Sequence, residues 1–329
     1  MRLLVTGASG FVGINLVREI ASRGVNVVAC TIGDPTTEGL DFLGEYGALV
    51  EWVSLDIRNK KRVTDVFRET KIDTVIHGAA VTSVSPDGPS SVEDLLSTNV
   101  LGTVNVLEAA RAFGRVQVVY LSSGAVYGNQ EPTLSVIGED HVLGGANPYA
   151  VSKIAAEQFC RTYAEERDHS VAICRLGTLY GPMEIANPYR PVLSIPCKLV
   201  NLALCRRSIW VFGLSRRRSF CYVGDAARAV VDLAMLPSCP SDTFNVGAPE
   251  WVALSDLLDI MSRLRSNFVF EEVDQPEDAD LAMVSEDERP VLDTARLESR
   301  LGPIVWCGME NGIMQYIDWL EKMSAADRH

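Results

Sequence analysis

Tyr149 and Lys153 stand four residues apart in Tyr149-Ala150-Val151-Ser152-Lys153. On a helix that spacing puts both side chains on one face, one turn apart. An ammonium held beside a phenol favours the phenolate and draws the tyrosine pKa toward working pH. Tyr149 is therefore a candidate acid/base for a carbinol or a ketone. Near the other end of the chain, Gly7-Ala8-Ser9-Gly10-Phe11-Val12-Gly13 supplies a place for a dinucleotide. Its small residues let the backbone approach a pyrophosphate, and the start of the following helix favours the charge. A Y-x-x-x-K pair alone usually marks two surface residues, and a glycine run alone a tight turn. Their joint presence in this order carries the signal.

The elements needed to position these groups are legible in the first 175 residues. Short apolar runs at Leu3–Thr6, Val25–Cys30, Val50–Leu55, Thr74–His77, Val116–Leu121 and Val171–Arg175 read as strands. Between them, Phe11–Arg23, Lys60–Glu69, Val92–Phe113 and Pro148–Arg167 have helical periodicity. Such alternation predicts a parallel sheet covered on both faces, and right-handed crossovers make it a doubly wound, Rossmann-type α/β fold. After Arg175 the elements shorten. Helices are expected near Lys198–Cys205, Asp225–Met235, Leu254–Leu264 and Gly308–Lys322. Strands are expected near Ile209–Phe212, Phe220–Val223 and Thr243–Val246. Glu271–Arg289 reads as an acidic, irregular, mobile loop. The expected organisation is a dinucleotide-binding domain over 1–175 and a smaller α/β substrate lobe over 176–329, with some segments free to return to the first domain.

The net charge of −13 argues against nucleic acid as a partner, because no basic footprint exists for counterion release. No apolar run reaches membrane-spanning length, and the first strand begins too near Met1 to leave room for a cleavable signal. The eight cysteines form no C-x-x-C and several sit in apolar runs, so they read as reduced, buried thiols of a cytoplasmic protein. The four histidines lack ligand spacing, and no metal site is expected.

Within the cofactor region, Thr31 stands where a carboxylate at the end of the second strand would bind the ribose hydroxyls of NAD and a base would favour NADP. NAD is the expected cofactor, with NADP left open. Asp56-Ile57 follows the third strand, where Asp56 either meets the adenine amino group or serves as a helix-terminal acid. His77-Gly78-Ala79-Ala80 ends the fourth strand with small residues, as a backbone running under a cofactor requires.

Taken together these motifs resemble the extended short-chain dehydrogenase/reductase family, particularly its nucleotide-sugar epimerases and dehydratases. Further matches are Asn99-Val100-x-Gly102-Thr103, Leu121-Ser122-Ser123-Gly124-Ala125-Val126-Tyr127-Gly128, Arg175-Leu176-Gly177-Thr178-Leu179-Tyr180-Gly181-Pro182, Arg218-Ser219-Phe220-Cys221-Tyr222-Val223-Gly224-Asp225 and Phe244-Asn245-Val246-Gly247. The resemblance implies catalytic roles for Ser123, Tyr149 and Lys153, with Asn99 in their hydrogen-bond network. It implies cofactor contacts at Gly7, Gly10, Phe11, Val12, Gly13, Thr31, Asp56, Ile57, Ala79, Ala80, Tyr149 and Lys153. Ser123, Tyr149, Arg218 and Arg289 are the implied substrate contacts, the two arginines on a diphosphate. Dehydratases of the family carry an Asp-Glu pair after the Ser/Thr. Here Gly124 and Ala125 stand there, so dehydration is rejected. Glu184, Asn187 and Arg190 make the 183–196 loop unusually polar for an epimerase.

Three readings follow. The first is a nucleotide-sugar epimerase that transiently oxidises a carbinol, C4 first among candidates. The second is an NAD(P)-dependent reductase or dehydrogenase of a sugar or other small carbonyl compound, and the third a non-catalytic nucleotide-binding protein. Relatives pair the equivalents of Val92–Phe113 and Pro148–Arg167 across a two-fold axis, so the resemblance also implies a homodimer built on a four-helix bundle.

Overall fold

Seven parallel strands form the central sheet: β1 (Leu3–Thr6), β2 (Val27–Thr31), β3 (Val50–Ser54), β4 (Thr74–His77), β5 (Gln117–Ser123), β6 (Val171–Leu176) and β7 (Thr243–Val246). The computed structural model describes the chain except for residues 83–89, 115, 130–133, 168, 188–189, 191 and 327–329. The strand order is β7-β6-β5-β4-β1-β2-β3. β1 pairs with β2 on one side and β4 on the other, Thr6 standing opposite both Cys30 and His77. This is the switch point of a doubly wound sheet, where a crevice opens at the carboxyl ends of the strands.

Alternation along the strands divides the core into two layers. Leu3 and Val5 of β1 face the helix Phe11–Ser22, and Leu4 faces the side covered by Lys60–Thr70 and Thr103–Ala112. A period of two in a fully buried strand leaves both faces apolar, which is why these strands read as unbroken hydrophobic runs.

The expected helix Val92–Phe113 is interrupted. Val92–Leu96 and Thr103–Ala112 are α-helical, but Ser97–Gly102 between them is a π-turn. The extra residue presents Asn99, which is buried and pins the chain after β4. Its Oδ1 accepts from Val81 N at 2.8 Å, and its Nδ2 donates to Val81 O at 2.9 Å. Single π-turns of this kind recur at functional sites.

Beyond Arg175 the chain returns to the sheet once, through β7, and packs the helix Val223–Ala234 against Phe11–Ser22. The Glu271–Arg289 stretch corrects the sequence reading. Val269–Glu272 and Leu281–Ala282 flank Ser208–Phe212 in a parallel three-stranded sheet. Leu281 and Met283 are buried, so a few apolar anchors among many carboxylates suffice to order it. Short ladders join Arg217–Arg218 to Val252–Ala253, Phe220–Tyr222 to Thr178–Tyr180, and Val291–Leu292 to Val136–Ile137. Among the described residues no helix is long and apolar enough to cross a membrane.

Candidate active site

The turn after β1 is built for close approach. Gly7 has φ +70°, and a Cβ there would lie 2.8 Å from Ala79 Cα. At Gly13 a Cβ would stand 2.0 Å from the Gly7 carbonyl oxygen. The helix Phe11–Ser22 starts at Gly10 with no side-chain cap. Its first N–H groups therefore face the cleft with the positive end of the helix dipole. A pyrophosphate fits this cradle, and Gly7, Gly10, Phe11, Val12 and Gly13 would hold it.

At the end of β2, Thr31 is buried and its hydroxyl meets Ser9 Oγ at 2.6 Å. Asp34 lines the same rim and is exposed. Asp56 is taken up by its neighbour: its carboxylate accepts from Arg58 N at 2.9 Å and Arg58 Nη2 at 2.8 Å. The Arg58 hydrogen bonds hold it below the ordinary carboxylate range. Ile57, Ala79 and Ala80 line the cleft beside it, whereas Asp56 does not. His77 bonds Thr6 Oγ1 at 2.7 Å and Thr103 Oγ1 at 3.0 Å, and burial drives its pKa down to about 3, so it is a neutral structural group.

β5 ends at Ser123, whose Oγ accepts from Ala125 N at 3.2 Å and caps the turn Gly124–Tyr127. Tyr149 and Lys153 lie in the first turns of the helix Pro148–Arg167, whose start is capped by Asn147 Oδ1 on Ala150 N at 2.9 Å. Tyr149 and Ser123 line the same cleft, and the Ser123 side chain acts to lower the Tyr149 pKa. The two residues predicted from separate motifs thus meet at the carboxyl end of the sheet.

Lys153 behaves differently from the sequence expectation. Its Nζ donates to Leu121 O at 2.7 Å and sits 4.8 Å from the centre of the Tyr120 ring and 5.9 Å from that of Tyr149. Its contacts with the two tyrosines are to their rings. Burial raises the Tyr149 pKa, opposed by the Ser123 hydrogen bond and by the charge of Arg190. Burial also brings the Lys153 pKa down to about 8, while Cys160 and Glu157 work the other way. Desolvation sets the direction of the Tyr149 shift, and the Lys153 ammonium is not among the groups that oppose it.

Asn99 acts one step removed. Its Nδ2 donates to Ser152 Oγ at 2.9 Å, and that hydroxyl donates to Tyr149 O at 2.7 Å. It ties the cofactor-side loop to the catalytic helix rather than touching the reacting groups.

A buried ion pair supports the same helix and was not foreseen. Glu157, one turn beyond Lys153, accepts from Arg175 Nε at 3.0 Å, Arg175 Nη2 at 2.8 Å, Arg161 Nη2 at 2.6 Å and Ser122 Oγ at 2.5 Å. Arg175 also donates to Tyr127 Oη at 3.0 Å, which donates to Asn245 Oδ1 at 2.7 Å. The sequence hint was Glu157's place beside Ala156 and Cys160, both fully buried.

In the same cleft Arg218 and Arg289, far apart in sequence, form a parallel bridge, with Ser219 N donating to Arg289 O at 3.3 Å. Arg218 Nε donates to Thr178 Oγ1 and its Nη1 to Asp287 O, each at 2.9 Å. Arg289 Nη1 donates to the carbonyls of Glu286 at 2.7 Å and Glu288 at 2.6 Å. Burial, and then the Arg289 charge, bring the Arg218 pKa down to about 10. Burial lowers Arg289 as well. Two partly desolvated guanidiniums side by side make an anion site.

The glycine turn, Ser123, Tyr149, Lys153, Arg218 and Arg289 all line one cleft of ≈ 1310 Å³. A single small-molecule site runs to about 300–1,000 Å³, so this cleft has room for two ligands together.

Known proteins bear on this arrangement. A UDP-glucose 4-epimerase of Mycolicibacterium smegmatis is 33% identical over 253 residues, 75% of this chain and 77% of that one. A dTDP-4-dehydro-6-deoxy-D-allose reductase of a Streptomyces species is 31% identical over 264 residues, 78% of each. The solved UDP-glucose 4-epimerase of Thermus thermophilus, in complex with NAD, superposes with a TM-score of 0.78 at 26% identity, over 98% of this chain and 99% of that one. Residues 3–247 match the model of the NAD dependent epimerase/dehydratase family. With the uncapped glycine turn and the Ser123–Tyr149–Lys153 cluster in one cleft, the chain belongs to that family and is an NAD-dependent enzyme of the extended short-chain dehydrogenase/reductase type.

Proposed function

We propose that the protein is a nucleotide-sugar epimerase that inverts a carbinol carbon, C4 first among candidates, by oxidation and re-reduction within one binding event. The observation that carries this reading is the pairing of Arg218 with Arg289 in the same cleft as Ser123 and Tyr149. It suits a substrate with a diphosphate at one end and a reacting carbinol at the other. Gly124 and Ala125 bring no side-chain acid or base beside Ser123, which disfavours elimination of water.

Bound NAD supplies the hydride acceptor and donor. Tyr149 takes the carbinol proton and returns it to the ketone oxygen, so the enzyme ends each turnover as it began. Ser123 would hold that oxygen by a hydrogen bond, and Lys153 would hold the nicotinamide ribose. Arg218 and Arg289 anchor the diphosphate while the sugar turns over. Cofactor binding falls to 1–175 and substrate binding mainly to 176–329, with β7 lent to the sheet.

The reductase reading has one observation in its favour. Thr31 is tied to Ser9 and offers no carboxylate to a ribose. Mass spectrometry of the nucleotide that accompanies the purified protein separates the two. Tightly held NAD and interconversion of nucleotide-sugar epimers without added cofactor support the epimerase. An empty site that takes up NADPH and consumes it overturns that reading.

The proposed assembly is a homodimer. Leu96 and Leu101 on one helical segment, and Val151 and Phe159 on the packed neighbour, are exposed. Their apolar faces suit a four-helix bundle with a second copy. A monomer by light scattering at micromolar concentration would contradict this. Cysteines without disulfides fit the proposed cytoplasmic location.

A further inference from the structure

Arg190 stands in the loop before the helix Ile195–Cys205 and lines the same cleft as Ser123 and Tyr149. Its guanidinium lies 4.8 Å from the centre of the Phe11 ring, and its charge reaches the Tyr149 phenol. Glu184 fixes it from behind. That carboxylate is fully buried and accepts from Arg190 Nη2 at 2.8 Å, Ser194 N at 2.8 Å and Ser194 Oγ at 2.7 Å. The turn is tightened by Asn187, whose backbone exchanges hydrogen bonds with Arg190 at 3.0 and 3.2 Å.

The donors of Arg190 are not all used. Nε is buried and makes no hydrogen bond, and Nη1 makes none among the described residues. A buried donor without a partner is destabilising, and a bound acceptor would relieve it. Charge along this wall points the same way. Of the described side chains lining the cleft from Ser123 onward, Lys153, Arg190, Lys198, Arg218 and Arg289 are cations, and Asp287 is the single carboxylate. Lys198 is exposed and forms no ion pair among the described residues. Arg218 and Arg289 suffice for a diphosphate. Beyond these two and Lys153, Arg190 and Lys198 add positive charge to the cleft, in a protein whose net charge is −13.

We infer that Arg190 is a specificity-determining residue that binds a carboxylate on the sugar, so the preferred substrates are nucleotide-linked acidic hexoses. Glu184 orients the guanidinium and leaves its remaining donors for the substrate. A planar fork suits a carboxylate better than an ammonium does. This inference rests on the nucleotide-sugar reading above and adds the charge of the sugar to it.

The test compares a UDP-hexuronate with the matching UDP-hexose in the wild-type protein and in Arg190→Ala, Arg190→Gln and Arg190→Lys, with folding checked by thermal melting. The wild type is expected to favour the acid in kcat/KM. Arg190→Ala and Arg190→Gln should lower that preference by about 10–100-fold, chiefly through KM, with a much smaller loss for the neutral sugar. Arg190→Lys should retain part of it. No preference in the wild type, or equal losses for both sugars, would overturn the inference. Loss of NAD affinity with the preference intact would also overturn it, assigning the guanidinium to the cofactor. UDP binding, measured separately, distinguishes the underlying reading: if UDP fails to bind the wild type, the nucleotide-sugar assignment falls as well.

Discussion

Replacing Arg218 by alanine tests whether the substrate carries a diphosphate. Two of the donor nitrogens of Arg218 are already committed, Nε to Thr178 and Nη1 to the Asp287 carbonyl, and these hold the guanidinium plane in place. Nη2 is left for the ligand. Neighbouring Arg289, whose Nη1 is likewise engaged by two carbonyls, adds a second charge. One lost charge-assisted hydrogen bond costs about 1.5–3 kcal/mol, or roughly 10–150-fold in affinity. Arg218→Ala should raise KM for the nucleotide sugar by about that factor and change kcat less. The diphosphate lies away from the reacting carbon and binds ground and transition states alike. The assay is steady-state epimerisation, with UDP as competitor against native and variant protein. UDP should compete well in the first and poorly in the second. An unchanged KM, or no binding of any nucleoside diphosphate to the native protein at millimolar concentration, would refute the assignment of this wall to phosphate.

Other outcomes follow from the same geometry. Tyr149→Phe removes the proton carrier and should cut turnover by about 10²–10⁴-fold while leaving NAD affinity within a few-fold; near-normal turnover would remove Tyr149 from the mechanism. Gly13→Ala places a Cβ 2.0 Å from the Gly7 carbonyl, so the helix start must shift away from the turn. NAD affinity by calorimetry should fall at least about tenfold, at a stability cost of about 1–3 kcal/mol. Lys153 titrates near 8, depressed by burial, so its ammonium is lost as pH rises through that value. If the ammonium holds the nicotinamide ribose, binding raises this pKa. Proton uptake on binding and weakening affinity above about pH 8 should then appear, and should vanish in Lys153→Met. An affinity flat through pH 10 would contradict that role.

The cofactor half was legible because its signals are local. A β-strand buried on both faces is a short apolar run, and a glycine turn between strand and helix has a fixed spacing. Tyr149 and Lys153 were singled out by their four-residue spacing, and Ser123 by the family resemblance. What escaped depends on partners distant in sequence. The π-turn at Ser97–Gly102 goes with Asn99's bonds to Val81, and no periodicity announces it. Glu157 and Arg175 are charged residues in a helix and a strand, and only the fold brings them together in the core. The stretch after Glu271 looked irregular because its few apolar anchors pair with a strand some sixty to seventy residues upstream. Lys153 was expected to pull the Tyr149 pKa down; burial raises it, and Lys153 is not among the groups that oppose the rise. Desolvation is a property of the packed site and cannot be read from a four-residue spacing.

The central claim is that one sugar carbon loses and regains its hydride within a single binding event. Turnover of a nucleotide sugar deuterated at C4 tests it most directly, with product analysed by NMR and no cofactor added. The account predicts an epimer inverted at the labelled carbon that retains the deuterium, with no net gain or loss of reduced nicotinamide. Stoichiometric accumulation or consumption of reduced cofactor, with a released ketone or alcohol and no inverted product, would contradict it.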